Sequence, residues 1–383
     1  MKLSILLPTR NGGRLLDGCV RSVLDQEGDD FELVVSDNAS DTETQEVLAQ
    51  FAGDPRLKLS RLEAPVNVTD NWQVAYEASS GEYLLLLGDD DYLRPGAVRR
   101  ILDLLREHDD PDALSYEAYG FAFPGALPGA DGSAYADPLF PPDPALPARG
   151  LVPRSTRREI ALDVFRFNYR FCLNLQTTVI SRAAAESMPR GPFQPPFPDF
   201  YAIVALLLRA ERWAYSPERL VIVGVSPKSF GRTLHGGGQD SALRQSGMNY
   251  LGISTEFDGW LPGNEMVNGT WITLQALQRD FPDDFRGVQI SREQYVAHQV
   301  YSWYQRWRLG WMPRAELVSL LRRLPARDWR ALVRGLRDRV DLGMLRQRLR
   351  VNRGEPAREF MPGMQPLPGV DDISGLAKVV GPA

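Results

Sequence analysis

Cysteine is nearly absent from this chain: two in 383 residues, Cys19 and Cys172, with no Cys-x-x-Cys and no histidine pair near either. That excludes a disulfide framework and a Cys/His zinc site, and Cys19 reads as a core residue. Long hydrophobic runs are missing as well. None approaches the ~18 apolar residues of a membrane span. The N-terminal run Leu3 to Leu7 breaks at Pro8, short of the roughly 7–15 apolar residues of a signal peptide. A cytoplasmic protein is therefore expected, with peripheral contact at the inner face of a membrane as its one route to lipid. A large excess of charge of one sign is missing too. The net charge of −5 gives no global attraction to nucleic acid or an anionic surface, so no nucleic-acid partner is expected. Lysine numbers four against forty arginines, a compositional bias and not a mechanism. Also lacking are G-x-G-x-x-G after the first strand and G-x-x-x-x-G-K-[ST] anywhere, which removes the usual dinucleotide and P-loop nucleotide folds.

What is present, 43% hydrophobic and 24% charged residues, is the make-up of a globular chain with one large domain and an appendage. Four short apolar runs come at nearly even spacing: LSILL (3–7), FELVV (31–35), LKLSR (57–61) and YLLLL (83–87). Such runs fit strands buried on both faces, as parallel strands are. Between them Leu15, Leu16, Cys19, Val20, Val23 and Leu24 share a helical face, as do Val47, Leu48 and Phe51, and a short helix is expected near Trp72 to Ala78. Strand and helix alternating at this pitch predict an α/β fold with a mostly parallel sheet over the first ~120 residues. Ligands of such sheets bind at the carboxyl ends of the strands. There stand Thr9-Arg10-Asn11, Asp37-Asn38, Asn67 and Asp89-Asp90-Asp91.

Further along, a strand is expected at 113–119 and a helix at 157–168. A strand follows at LQTTVI (175–180), then a helix at 200–212 and a strand at RLVIVGV (219–225). The segment 121–150, with seven prolines and no period, reads as a partly ordered loop near the site. Three parts result: residues 1–240; a helical, tryptophan-rich region, 241–353; and a flexible tail, 354–383. From Met312 to Arg353 twelve arginines face four acids. That stretch fits either a solvated helical hairpin or a membrane-surface contact, and the tryptophan-rich helices offer a homodimer face.

Three adjacent carboxylates repel one another, and a cation offsets that repulsion. Oxygen ligands select Mg²⁺ or Mn²⁺, which leave positions for phosphate. The alternative is a capped turn before the next helix. The loop SPKSFGRTLHGGG (226–238) can close over a diphosphate, with Lys228 or Arg232 countering its charge and His235 as a metal ligand, or it is a solvent-exposed turn.

Taken together, LSILLPTRN, LVVSDNASDTET, NVTDNWQVAYEASSGEYLLLLGDDDYL and PFPDF resemble the family 2 glycosyltransferases over about residues 1–235. The resemblance implies a GT-A fold, Rossmann-like with flanking helices, over 1–240, and an inverting transferase that uses nucleotide-diphospho-sugars. Pro8, Thr9 and Arg10, with Asn11 beside them, would line the base and ribose pocket. Asp37 would accept the imide N–H of uracil or thymine, favouring a UDP- or dTDP-sugar. Asp89 would touch the ribose or donor sugar, and Asp90 would hold Mn²⁺ or Mg²⁺ with Asp91 in support, although Gly88 stands where many members place the first Asp. Asn67 would bound the donor pocket. Asp199 falls at the position of the general base, with Pro198 in place of the family's other acid; its other role is N-cap of the helix starting at Phe200, and the two are compatible. The acceptor would be a hydroxyl of a saccharide, glycolipid or natural-product scaffold. Two rivals stand beside this reading, a nucleotide-sugar-binding module without turnover and a sugar nucleotidyltransferase.

Overall fold

The first half of the sheet is built by β1 (Leu3–Thr9), α1 (Arg14–Leu24), β2 (Phe31–Asp37), α2 (Thr42–Ala49), β3 (Leu57–Arg61), α3 (Val68–Ala78) and β4 (Tyr83–Leu86). The strands pair in parallel, in the order β3-β2-β1-β4, with Thr9 level with Asp37. Alternation within the apolar runs supplies both faces. Leu3, Ile5 and Leu7 of β1 and Tyr83 and Leu85 of β4 join one core with Cys19, Val20 and Val23 of α1. Leu6, Leu84 and Leu86 enter the opposite core, with Ala75 of α3. This is why the runs read as unbroken hydrophobicity in the sequence.

This computed structural model describes residues 2–229, 257–339 and 361–383, apart from positions 128, 264, 309, 311 and 362. After β4 come β5 (Tyr92–Leu93), α4 (Ala97–Glu107), β6 (Ala113–Ala122), β7 (Ala134–Ala136), β8 (Gly150–Leu151), α5 (Arg154–Val164), β9 (Thr178–Ser181), α6 (Arg182–Glu186), α7 (Pro198–Arg209) and β10 (Trp213–Val225). The sheet is mixed. β9 lies between β4 and β6 and is antiparallel to both, whereas β6 and β10 run parallel along almost their whole lengths. The long pairings are parallel and the antiparallel ones short, which is the α/β architecture of GT-A type expected, with helices on both faces. An apolar run carries no strand direction; the connection sets it.

Several boundaries differ from the sequence reading. LQTTVI opens with a 3-10 turn, Leu175–Thr177, because the Asn174 side chain accepts the Gln176 N–H and curls the chain before the strand. The helix expected at 157–168 is α5, ending at Val164, and that expected at 200–212 starts at Pro198, whose fixed φ suits a first turn. The 121–150 segment holds β7, which extends the sheet beside β6.

The C-terminal region is helical: α8 (Glu265–Asp280), α9 (Arg292–Arg308), α10 (Arg314–Arg323) and α11 (Ala326–Arg339). Phe167, Tyr295, Val296, Trp303 and Leu332 form its core. The last segment departs from the expected flexible tail. Within its described part, β11 (Gln365–Pro366) pairs with β7, and α12 (Ile373–Val380) buries Ile373, Leu376 and Ala377 against Phe121, Phe123 and Ile222. The sequence suggested a tail because its apolar residues are few; those few fall on one helical face. No described helix is long and apolar enough to cross a membrane.

Candidate functional site

β1, β2 and β4 all end at one edge, and their terminal side chains meet there. Thr9 Oγ1 donates to Asp89 Oδ2 at 2.6 Å, joining the end of β1 to the turn after β4. Gly12 makes that approach feasible: a Cβ there would stand 2.8 Å from both Thr9 Oγ1 and Asp89 Oδ2. Asn11 sits at φ 54°. Its N–H donates to Ser40 Oγ at 3.0 Å and its Oδ1 accepts the Asp41 N–H at 2.9 Å, which locks the two turns together. Pro8 and Arg10 flank Thr9 on the same edge, half-buried.

Asp37 is buried, with Oδ1 taking the Ser40 N–H at 2.9 Å and Oδ2 lying 3.7 Å from the Arg61 guanidinium. Its neighbour Asn38 exchanges two hydrogen bonds with the Val66 backbone, 3.0 and 2.8 Å, and so draws Asn67 to this edge. Asn67 itself caps α3 by accepting the Asp70 N–H at 3.0 Å. Its side chain holds that helix start in place.

The three consecutive aspartates have different environments. Asp91 is buried and structural in its contacts: Oδ2 accepts the Gly88 N–H at 2.6 Å and Oδ1 the Gly224 N–H at 2.9 Å, tying the turn to β10. Asp90 Oδ2 accepts from the Ser226 N–H at 3.3 Å and from the Ser229 hydroxyl. Gly224 is required beneath it, because a Cβ there would collide with the Asp90 carbonyl oxygen. Asp89 faces Thr9 and the Arg10 N–H, with the positive charge of Lys228 close by. Lys228 donates from Nζ to Asn11 O at 3.1 Å. Burial, then the Asp90 charge, pushes the Asp89 carboxyl up to about 6. Burial also raises Asp90, and Asp91 well above the usual carboxylate range. Cys19 fits as core: its Sγ donates to Gly88 O at 3.3 Å from beneath the turn.

The donor set around Asp89 and Asp90 is oxygen only and its carboxylates are raised by burial and mutual repulsion, a condition that a hard divalent cation relieves. Among the described residues no group of three or more His, Cys, Asp or Glu side chains gathers as a complete metal cage. Two residues assigned to the site, Arg232 and His235, lie outside the described residues.

Asp199 stands in the first turn of α7, its Oδ1 accepting the Phe200 N–H at 2.9 Å. The strand and helix directions put this turn at the sheet edge that carries the aspartates, since α7 precedes β10 and β10 runs parallel with β6. Burial pushes its carboxyl up to about 7. At the far end of α7, buried Arg157 donates to Ala210 O at 2.8 Å and Leu207 O at 3.3 Å, fixing the helix that carries Asp199. Near Asp199 burial, with the Asp199 and Glu117 charges, raises the Cys172 thiol to about 12. Cys172 lines a pocket with Glu117, Phe140, Arg170, Phe171 and Tyr215.

Sequence reasoning passed over Gly224, Ser226 and Ser229, which hold Asp90 and Asp91, and Glu117 in the adjoining pocket. A glycine inside the apolar run RLVIVGV was the available signal, because a strand glycine marks close backbone approach. Glu117 carried none. The Gln176 amide lies beside Asp91, reaching it from the 3-10 turn ahead of β9 and not from a strand.

Comparison with known proteins finds likeness over the first strands of the sheet. The family described as Glycosyl transferase family 2 matches residues 4–118. A Campylobacter jejuni GalNAc(5)-diNAcBac-PP-undecaprenol beta-1,3-glucosyltransferase is 31% identical over 111 residues, covering 28% of this chain and 35% of that protein. The Staphylococcus aureus poly(ribitol-phosphate) beta-N-acetylglucosaminyltransferase TarS is 26% identical over 187 residues, 48% of this chain and 28% of that protein. An uncharacterised Mycobacterium tuberculosis protein is 32% identical over 109 residues, 28% and 33% of the two chains. The matched stretches thus span about a third of the curated relatives' lengths. A crystal structure of TarS 1–349 with UDP aligns over 82% of this chain and 93% of that one, at 18% identity and a TM-score of 0.48.

Proposed function

We propose, from the match of residues 4–118 to the family described as Glycosyl transferase family 2, that the protein is an inverting glycosyltransferase moving one sugar from a UDP- or dTDP-sugar to an acceptor hydroxyl. The observation that supports it most is the pairing of two kinds of carboxylate on one edge. Asp89 and Asp90 are held by hydroxyl and amide donors at the strand ends, and Asp199 is a separate carboxyl at the head of α7.

Asp37 would accept the imide N–H of the base, Pro8, Thr9, Arg10 and Asn11 would border the nucleoside, and Asp89 would orient the ribose or donor sugar. Lys228 would counter diphosphate charge. Asp90, with Asp91 behind it, would hold Mn²⁺ or Mg²⁺, which supplies positive charge to the departing diphosphate. Asp199 would take the acceptor O–H proton as the acceptor oxygen bonds to C1 and the C1–O bond to the diphosphate breaks, leaving UDP or dTDP. A carboxyl near 7 suits this: it is basic enough to accept the proton and still ionised in part at neutral pH.

The test is UDP or dTDP release from a panel of donor sugars by wild type and Asp199→Asn. Release by wild type, lost in the variant while nucleotide binding persists, is the expected result; turnover retained in Asp199→Asn overturns the assignment. One observation favours the rival, a binding module without turnover: Pro198 occupies the place of the family's other acid. Tight nucleotide binding with no release from any donor would establish that reading.

A further inference from the structure

A second group of buried polar atoms without partners lies in the helical region. A groove of about 360 Å³ between α9 and α11 is lined by Trp271, Arg292, Arg327, Arg330 and Arg334, with Asp258 and Glu293 at its border. Arg292 spends Nε and Nη2 on Asp328, at 3.0 and 2.8 Å, and lies over the Tyr295 ring at 4.8 Å. Its Nη1 and the Trp271 Nε1 are both buried with no hydrogen-bond partner. Both nitrogens are closed off from solvent, so the donors that a ligand can reach on this groove are the exposed arginines of its rim.

Charge points the same way. Glu293 pairs with Arg334 at 3.6 Å and Asp328 with Arg292. This leaves Arg327 and Arg330 against Asp258, both arginines exposed and without an ion-pair partner among the described residues. Between Arg314 and Arg339 eight arginines stand against three acids. The helix that carries the rim arginines also exposes two large apolar side chains one turn apart, Trp329 at 42% and Val333 at 53%. Its other side is committed to the protein: Asp328, Ala331 and Leu332 are buried, and a Cβ at Gly335 would come within 2.6 Å of Glu293 O. The outward face of α11 is thus apolar at its centre and cationic at its flank, the pattern of a helix lying in a lipid interface.

We propose that the α9–α11 groove binds the phosphate of an anionic phospholipid headgroup, with Trp329 and Val333 seated in the lipid surface. Arg327 and Arg330, exposed at the rim, meet the phosphate. A free phosphate group shares the chemistry of the headgroup, but it leaves the exposed Trp329–Val333 pair unexplained. The inference uses no step of sugar transfer, so its failure leaves the proposed activity standing.

The experiment is co-sedimentation of the full chain with vesicles of phosphatidylcholine alone and of phosphatidylcholine mixed with phosphatidylglycerol. Wild type, Arg327→Ala/Arg330→Ala and Trp329→Ala are compared, and all three substituted residues are exposed. Wild type should bind only the anionic vesicles, and the arginine pair should lower that binding at least roughly tenfold, since each arginine near an anionic surface contributes about 1 kcal/mol. Trp329→Ala should weaken binding with its salt dependence unchanged, and high salt should release the wild type. Equal binding to neutral vesicles, no binding at all, or binding indifferent to the arginine pair would overturn the proposal. So would thermal stabilisation by inorganic phosphate in a protein that ignores the vesicles, since the ligand would then be a free anion.

Discussion

At the scale of single residues the account turns on Asp199 and Asp90, whose surroundings assign them different work. Burial raises Asp199 to about 7, so kcat/KM should climb with pH through about 7 as the carboxyl ionises, and a flat profile across that range would contradict its role as base. Asp199→Asn should cut turnover by at least about 10²-fold, the usual scale of general-base loss, with nucleotide affinity retained. The same burial has a cost to folding. The folded carboxyl holds its proton to a higher pH than the unfolded one, so its destabilisation is absent below about pH 4 and complete above about 7. Asp199→Asn should therefore melt higher than wild type at pH 8, by a margin that shrinks as the pH falls toward 4. The carboxylates were legible because three in a row after a leucine run is a rare and costly arrangement. Their division of labour was not: that Asp91 spends both oxygens on the Gly88 and Gly224 amides follows from β10 crossing the turn, a contact between positions more than a hundred residues apart.

At the scale of elements, alternation told which segments were strands and helices, and pairing told where they lie. β1, β2 and β4 were readable because each is buried on two faces and set off by a helix; β3, read the same way, is the half-exposed edge strand, with Leu59 49% exposed, because β2 covers it on one side only. β9 was readable as a strand but not as an antiparallel one, and α12 was lost to composition. The clamp on α12 gives a test. Buried Arg94 donates to Gly381 O at 2.9 Å, to Pro382 O at 2.5 Å and to the Arg219 carbonyl, a cation set at the end of the helix dipole. Arg94→Ala leaves those carbonyls unsatisfied and should destabilise by about 1–3 kcal/mol, read as a lower melting temperature; an unchanged one would show that α12 is not held there. Gly224→Ala should do more local damage, because the added Cβ meets the Asp90 carbonyl: nucleotide affinity should fall together with stability. Loss of stability with full affinity would separate Gly224 from the site.

At the scale of the whole molecule, the α/β part with its site edge was legible from the order of four motifs, and the helical region was legible only as helical. The groove between α9 and α11 depends on Trp271, Arg292 and Arg330 meeting from three helices, a meeting that no spacing records. The central claim is that the edge formed by Asp37, Asp89 and Asp90 binds a nucleoside diphosphate with a divalent cation. Isothermal titration of UDP and dTDP, with and without Mn²⁺, into wild type and Asp90→Asn tests it most directly. Binding that needs the metal and disappears in Asp90→Asn is the result predicted. No binding of either nucleotide under any metal condition, or binding that Asp90→Asn leaves intact, would contradict it.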